Sequence, residues 1–225
     1  NCIGSYRYED SKIRCYHGTV HNSVDFITSF AKSCNCSYAN MGLGLDRGIY
    51  HDTIMDLGFN QPLPVNFNYN QSKLVVDETI SGDDMIQISF GQGSVQMTPL
   101  HLHLITNAIA AKGTPMKPYL VNKIVSKDGK VIEEFSPKPY KALMTEEEAG
   151  TLTMMMEQVV EKGTGSRLKG LSYSAAGKTN HVYPAPFSNC VNINSTREQP
   201  ELTQDMGNIL WEGTNKTLCA PGPRK

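Results

Sequence analysis

Apolar positions along the chain change period several times, and the changes mark out its elements. From Ser23–Val24–Asp25 the spacing of Phe26, Ile27, Phe30 and Ala31 predicts a helix. This helix is expected to run through Ser33–Cys34–Asn35 to Tyr38, Ala39 and Met41, where Gly42 and Gly44 end it. A second short helix is predicted over Tyr50–Leu57, stopped by Gly58. Asn1 to Asn22 reads as irregular, and Asn60 to Asp84 as a long surface loop with one short strand at Leu74–Val76. Thr98 offers an N-cap and Pro99 suits the first helical position, because proline's missing N–H has no partner to lose there. Leu100, Leu104, Ile105, Ala108 and Ile109 then form one apolar stripe, ended by Gly113. Asp128–Gly129 between Tyr119–Val125 and Lys130–Phe135 predicts a hairpin. Thr145 and Glu148 form a capping box ahead of Leu152, Met155, Met156, Val159 and Val160, with the three methionines Met154–Met156 expected to fill core space. Leu171–Thr179 reads as a strand. Helices mixed with hairpins, without regular strand–helix alternation, define an α+β class.

Composition changes this picture little. The chain has 225 residues, enough to bury a core, and a net charge of −1 gives no electrostatic reason to expect nucleic acid or an anionic membrane surface. No apolar run is long enough to span a bilayer, and Asn1–Asp10 is too polar for a signal peptide. Cys2 and Cys15 bracket a polar stretch, compatible with a disulfide in an oxidising compartment or with two free thiols. Cys34 and Cys36, two apart in the expected helix, should diverge, and with no second ligand pair beside them they are a poor zinc signal; no metal or cofactor is expected. His101 and His103 point to different helix faces, and His17 and His21 are expected to be loop residues without an acidic third ligand.

Four segments carry a more specific pattern. They are Ser33–Cys34–Asn35, Ile88–Ser89–Phe90–Gly91–Gln92–Gly93 leading to Thr98–Pro99–Leu100, Val159–Val160–Glu161–Lys162–Gly163–Thr164–Gly165, and Ala175–Ala176–Gly177–Lys178–Thr179. In order and approximate spacing they resemble the Ser-x-Asn, Gly-Gln-Gly/Thr-Pro-Leu and Lys-Thr-Gly regions of penicillin-binding transpeptidase domains of class B type. The resemblance runs from Asn1 to Thr179 and implies a fragment of the β-lactamase/transpeptidase-like fold, a helical cluster against an antiparallel sheet. Gly91 and Gly93 are expected to meet backbone needs rather than touch substrate.

The implied chemistry is acyl transfer from a D-Ala-D-Ala stem peptide through a serine acyl-enzyme, with β-lactams reacting at the same serine. By resemblance, the catalytic residues are Ser33, which relays a proton toward the leaving amine, Asn35, which also binds the substrate backbone, and Lys178, which attracts the substrate carboxylate and holds the Ser33 hydroxyl. Thr179 binds that carboxylate, on a strand to which the peptide adds. The implied partners are peptidoglycan stem peptides and β-lactams, with no nucleic acid, at the extracytoplasmic face of the bacterial membrane, the family's N-terminal anchor being expected ahead of this chain. The alternatives are a β-lactamase and a non-catalytic β-lactam or peptidoglycan sensor of the same fold.

Two departures qualify the resemblance. The nucleophilic Ser-x-x-Lys is expected upstream of Asn1, leaving the chain inactive by itself, and Ser29–Phe30–Ala31–Lys32 and Ser166–Arg167–Leu168–Lys169 are read as coincidental matches. Asn180 stands where the family has glycine, and a side chain there is expected to hinder close approach of a substrate strand. Residues 180–225 are therefore expected to be an anomalous tail: a frameshifted translation after Thr179, a divergent extension or a disordered segment.

Overall fold

A computed structural model describes residues 1–180, with side chains through Thr179, and the backbone of 189–194 and 215–220. The first residues are regular rather than irregular. β1 (Ser5–Tyr8) and β2 (Ser11–Arg14) form an antiparallel hairpin in which Tyr6 faces Ile13 and Tyr8 faces Ser11. Glu9 takes the tight reversal at φ 48°. The alternation of Tyr6, Tyr8 and Ile13 around Glu9–Asp10 was the available signal, masked by short strands and interleaved charge.

The long N-terminal helix is two helices. α1 (Phe26–Ala31) is capped by Asp25, whose side chain accepts from Thr28 N at 2.7 Å. α2 (Asn35–Leu43) restarts after Ser33, which sits at φ 51° and breaks the helical path. Left-handed backbone at a residue with a side chain costs on the order of 1–3 kcal/mol, so surrounding contacts must hold it. Gly42 does not end α2. It lies inside it, where a Cβ would collide with the Ser89 side chain, so glycine lets α2 pack closely on α4 (Gly82–Ser89).

α3 (Arg47–Asp56) ends at Gly58, φ 96°. The expected loop from Asn60 contributes Leu74 and Val76 to a core with Ile54, Phe59, Met85 and Ile88, so it is packed although largely irregular. α5 (Pro99–Ala110) has Thr98 as its cap and Pro99 first. Its Leu104 and Ala108 are buried with Leu63 and Leu143. β3 (Lys123–Val125) and β4 (Val131–Glu134) form the expected exposed hairpin. α6 (Glu146–Lys162) opens on the Thr145/Glu148 capping box and buries Met155, Met156, Val159 and Val160, whereas Met154 is exposed.

The strand expected over Leu171–Thr179 narrows to β5 (Thr179–Asn180), which pairs antiparallel with β6 (Asn189–Asn194), itself paired with β7 (Asn215–Ala220). β5 lies at one edge of this sheet, and β6 and β7 run beside α5. Helices grouped against small antiparallel sheets give the α+β class. The remaining tail readings, including Pro221–Gly222–Pro223–Arg224–Lys225 and the Asn180 side chain, lie outside the described residues. No described helix is long and apolar enough to cross a membrane.

Candidate active site

The site is built where the ends of α1, α6 and the approach to β5 meet. Gly163, just past α6, abuts the carbonyl of Ala31, where a Cβ would collide with backbone. Thr164 N donates to Ala31 O at 3.1 Å, so the Gly163–Thr164–Gly165 turn fixes the end of α1 immediately before Ser33. The same turn reaches β5, since the hydroxyls of Thr164 and Thr179 share a hydrogen bond of 2.6 Å. Gly177 N donates to Met156 O at 3.1 Å and ties the approach to β5 onto α6.

This scaffold brings together residues far apart in sequence. Lys178 Nζ donates to Ser33 Oγ, and it stands 5.5 Å from the centre of the Phe30 ring. No salt bridge to a carboxylate is made by Lys178 among the described residues. Burial therefore acts alone and lowers its pKa to about 8. Thr179 follows at once in β5, with its hydroxyl on the same patch as Thr164. Ser33 and Lys178 meet directly, and Thr179 joins them through the Thr164 turn that also holds the end of α1.

Asn35 is turned differently. Its Nδ2 donates to Arg14 O at 2.9 Å, binding the start of α2 to β2, which leaves Oδ1 without a partner among the described residues. The Ser29 and Ser166 matches do not build a second centre. Ser29 is buried within α1, and Lys169 is held by Glu161, with Nζ 3.2 Å from both its carboxylate and its backbone carbonyl. His101 is likewise structural: Nε2 lies 2.9 Å from Leu57 O, and burial lowers its pKa.

The cysteines correct the expectation of divergence. Cys34 is not inside a helix but at the N-cap of α2 in extended conformation, so the helical geometry that would separate it from Cys36 does not apply. Both reach Cys15, at 3.8 Å from Cys34 and 3.4 Å from Cys36, sulfur to sulfur. Cys2 lies 3.6 Å from Cys15, well beyond a disulfide bond, and 3.5 Å from Nδ1 of His21. Burial pushes the Cys15 and Cys34 thiols up to about 11. At Cys2 burial is outweighed by hydrogen bonds involving the Gly4 and His21 backbone and the side chains of Cys34 and His21, and the thiol falls to about 6.

Residues 1–179 match the penicillin binding protein transpeptidase domain. The chain belongs to that family. It is 28% identical over 160 residues to penicillin-binding protein 3 of Bacillus subtilis, covering 69% of this chain and 22% of that protein. It is 28% identical over 146 residues to the peptidoglycan D,D-transpeptidase PbpA of Mycolicibacterium smegmatis, covering 62% of this chain and 29% of that protein. Among solved structures, the fold is similar to penicillin-binding protein A from M. tuberculosis as an imipenem acyl-enzyme complex. There the TM-score is 0.73 at 20% identity, over 86% of this chain and 44% of that one. The D,D-transpeptidase domain of a peptidoglycan glycosyltransferase from Eggerthella lenta matches with a TM-score of 0.75 at 19% identity, over 86% of this chain and 50% of that one. The chain therefore spans less than a third of these curated relatives and half or less of these solved chains.

Proposed function

We propose that this penicillin-binding domain chain is part of a D,D-transpeptidase that cross-links peptidoglycan stem peptides by acyl transfer through a serine acyl-enzyme, outside the cytoplasmic membrane. The observation that carries the reading is the Lys178–Ser33 hydrogen bond beside Thr179. It joins a hydroxyl, a cation and a strand edge in one place. In this reading Lys178 polarises the Ser33 hydroxyl, which passes a proton to the leaving amine. Its charge also attracts the terminal carboxylate of a D-Ala-D-Ala peptide or the equivalent carboxylate of a β-lactam, with Thr179 donating to it. The edge of β5 that has no strand beside it among the described residues accepts the peptide as an added strand, and Asn35 Oδ1 accepts from a substrate amide. A depressed lysine pKa suits both tasks, since the ammonium is still charged at neutral pH yet lies closer to proton exchange.

Residues 1–180 supply the proton relay and the carboxylate site in this reading, and the attacking serine belongs to a Ser-x-x-Lys element beyond them. The test uses residues 1–225 joined to a Ser-x-x-Lys element of this family, labelled with a fluorescent penicillin and followed by mass. The expected result is a stable covalent adduct, formed at least about a hundredfold more slowly in Lys178→Ala, as for loss of a donor to a developing charge. Unchanged labelling in that variant, or no adduct at all, overturns the reading. Rapid turnover of the drug replaces it with a β-lactamase.

A further inference from the structure

The first thirty-six residues contain a constellation that acyl transfer does not use. Cys2, Cys15 and Cys34 are 2%, 2% and 0% exposed, and with Cys36 they form a buried cluster whose partly buried apolar neighbours among the described residues are Tyr6 and Val24. Ligand atoms of Cys2, Cys15, His21 and Cys34 all lie within 4.8 Å of one another. Three buried thiols and an imidazole at such distances make a poor hydrophobic core, because each sulfur is small and a two-stranded hairpin above it is marginal by itself.

The distances identify what the cluster fits. A tetrahedral zinc ion with bonds of about 2.3 Å to sulfur and about 2.05 Å to nitrogen sets edges of about 3.8 Å between two sulfurs and about 3.6 Å between sulfur and nitrogen. The observed edges are 3.6 Å for Cys2–Cys15, 3.8 Å for Cys15–Cys34 and 3.5 Å for Cys2 Sγ to His21 Nδ1. A disulfide would require about 2.05 Å. The surroundings are also those of a built site. Ser37 Oγ donates to Cys34 Sγ at 3.2 Å, the kind of outer hydrogen bond that orients a thiolate ligand. Backbone pairs lock the ligand-bearing segments together: Cys2 N to Asn22 O at 2.8 Å, Asn22 N to Cys2 O at 3.0 Å, and Cys15 N to Gly4 O at 3.1 Å.

We propose that Cys2, Cys15, Cys34 and His21 hold a structural zinc ion that clamps the N-terminal hairpin to the Ser33–Asn35 turn. The donor set, soft sulfur with one imidazole and no open position, is that of a structural tetrahedral site rather than a catalytic one. Its position gives it a purpose. Cys34 is the residue between Ser33 and Asn35, so the ion anchors the backbone that holds Ser33 in its left-handed conformation. Asn35 reinforces the clamp through Arg14 O, next to the ligand Cys15. Cys36, 3.4 Å from Cys15, is a thiol neighbour outside the four-ligand set. This assignment concerns metal binding and folding, and stands independently of the acyl-transfer reading.

The test measures metal in the 225-residue chain, produced with zinc and freed of excess by gel filtration. About one zinc per chain is expected, with affinity lowered at least about tenfold in Cys34→Ser and in His21→Ala and unchanged within about twofold in Cys36→Ser. Replacement by cobalt(II) should give strong visible bands and thiolate-to-metal charge transfer. A measurement on the unaltered chain guards against variants that do not fold: zinc should protect Cys2, Cys15 and Cys34 from alkylation, and a chelator should expose them. Wild-type chain without stoichiometric zinc, equal alkylation with and without chelator, or a Cys2–Cys15 disulfide in the purified chain overturns the proposal. Loss of zinc in Cys36→Ser as complete as in Cys34→Ser overturns the ligand set.

Discussion

Two parts of the molecule carry the same site and are held together by different physics. The helical part, from α3 through α6, buries Ile54, Phe59, Met85, Ile88, Leu104, Met155 and Val159, an apolar interior of the ordinary kind. The N-terminal part, β1, β2 and the start of α2, buries chiefly cysteines. Hydrophobic burial stabilises roughly in proportion to apolar area, and thiols contribute little of it. Lys178 belongs with the first part, through Gly177 and α6; Ser33 sits between the two, with α1 on one side and Cys34 on the other. A hydrogen-bonded pair that straddles the boundary depends on both kinds of stabilisation, so weakening either should be felt at Ser33.

Removing the proposed zinc should break this comparison most visibly. Hydrogen exchange in Ser5–Arg14 should quicken on the order of a thousandfold on chelation, as for a site held at about 1,000 times its dissociation constant, while α5 and α6 keep their protection. Equal loosening of both parts would mean that they share one core. Leu104→Ala tests the other side. It should cost about 2–5 kcal/mol in denaturant unfolding while leaving zinc content unchanged, because Leu104 is 2% exposed and its site cannot collapse freely.

Lys178 gives a pH test at the boundary. Its folded pKa lies at about 8 against the ordinary 10.5, so the unfolded chain binds more protons between those values and stability should rise with pH across that window. Binding of a carboxylate ligand should move the other way, weakening up to about tenfold per pH unit above about 8, measured by competition against fluorescent penicillin. A profile flat to pH 10 would mean that the lysine is not desolvated. Smaller effects are local. Thr145→Ala removes the cap and half of the capping box of α6 and should cost about 1 kcal/mol by thermal unfolding. Ile132→Ser, on the exposed β3–β4 hairpin, should change stability by no more than about 0.5 kcal/mol.

Much of the helical part was legible beforehand, and the reason is local chemistry. Thr98–Pro99 and Thr145 with Glu148 satisfy N–H groups within one turn, so the sequence carries the whole interaction. Asp128–Gly129 sets its hairpin in the same way, with Gly129 at φ 78°. The N-terminal part departs from its sequence pattern where a tertiary partner decides the outcome. Periodicity carried a helix straight through Ser33, because nothing in the neighbouring residues demands a left-handed turn there. The β1–β2 strands are short and half exposed, which weakens the alternation that would reveal them.

By itself, the sequence determined the helix boundaries set by caps and glycines, the α+β class, and the order of motifs that marks the penicillin-binding domain family. Tertiary structure decided which distant side chains meet. Lys178 and Ser33 are 145 residues apart, and the hydrogen bond between them exists because Gly163 admits the end of α1 against the end of α6. Cys2, Cys15, His21 and Cys34 have no standard ligand spacing, yet the hairpin and the helix break bring their donor atoms within 4.8 Å. Caps and turns are closed by atoms a few residues away; a thiol cluster is closed by chain reversals whose energy is spread over every contact in the fold, and no short stretch of sequence records it.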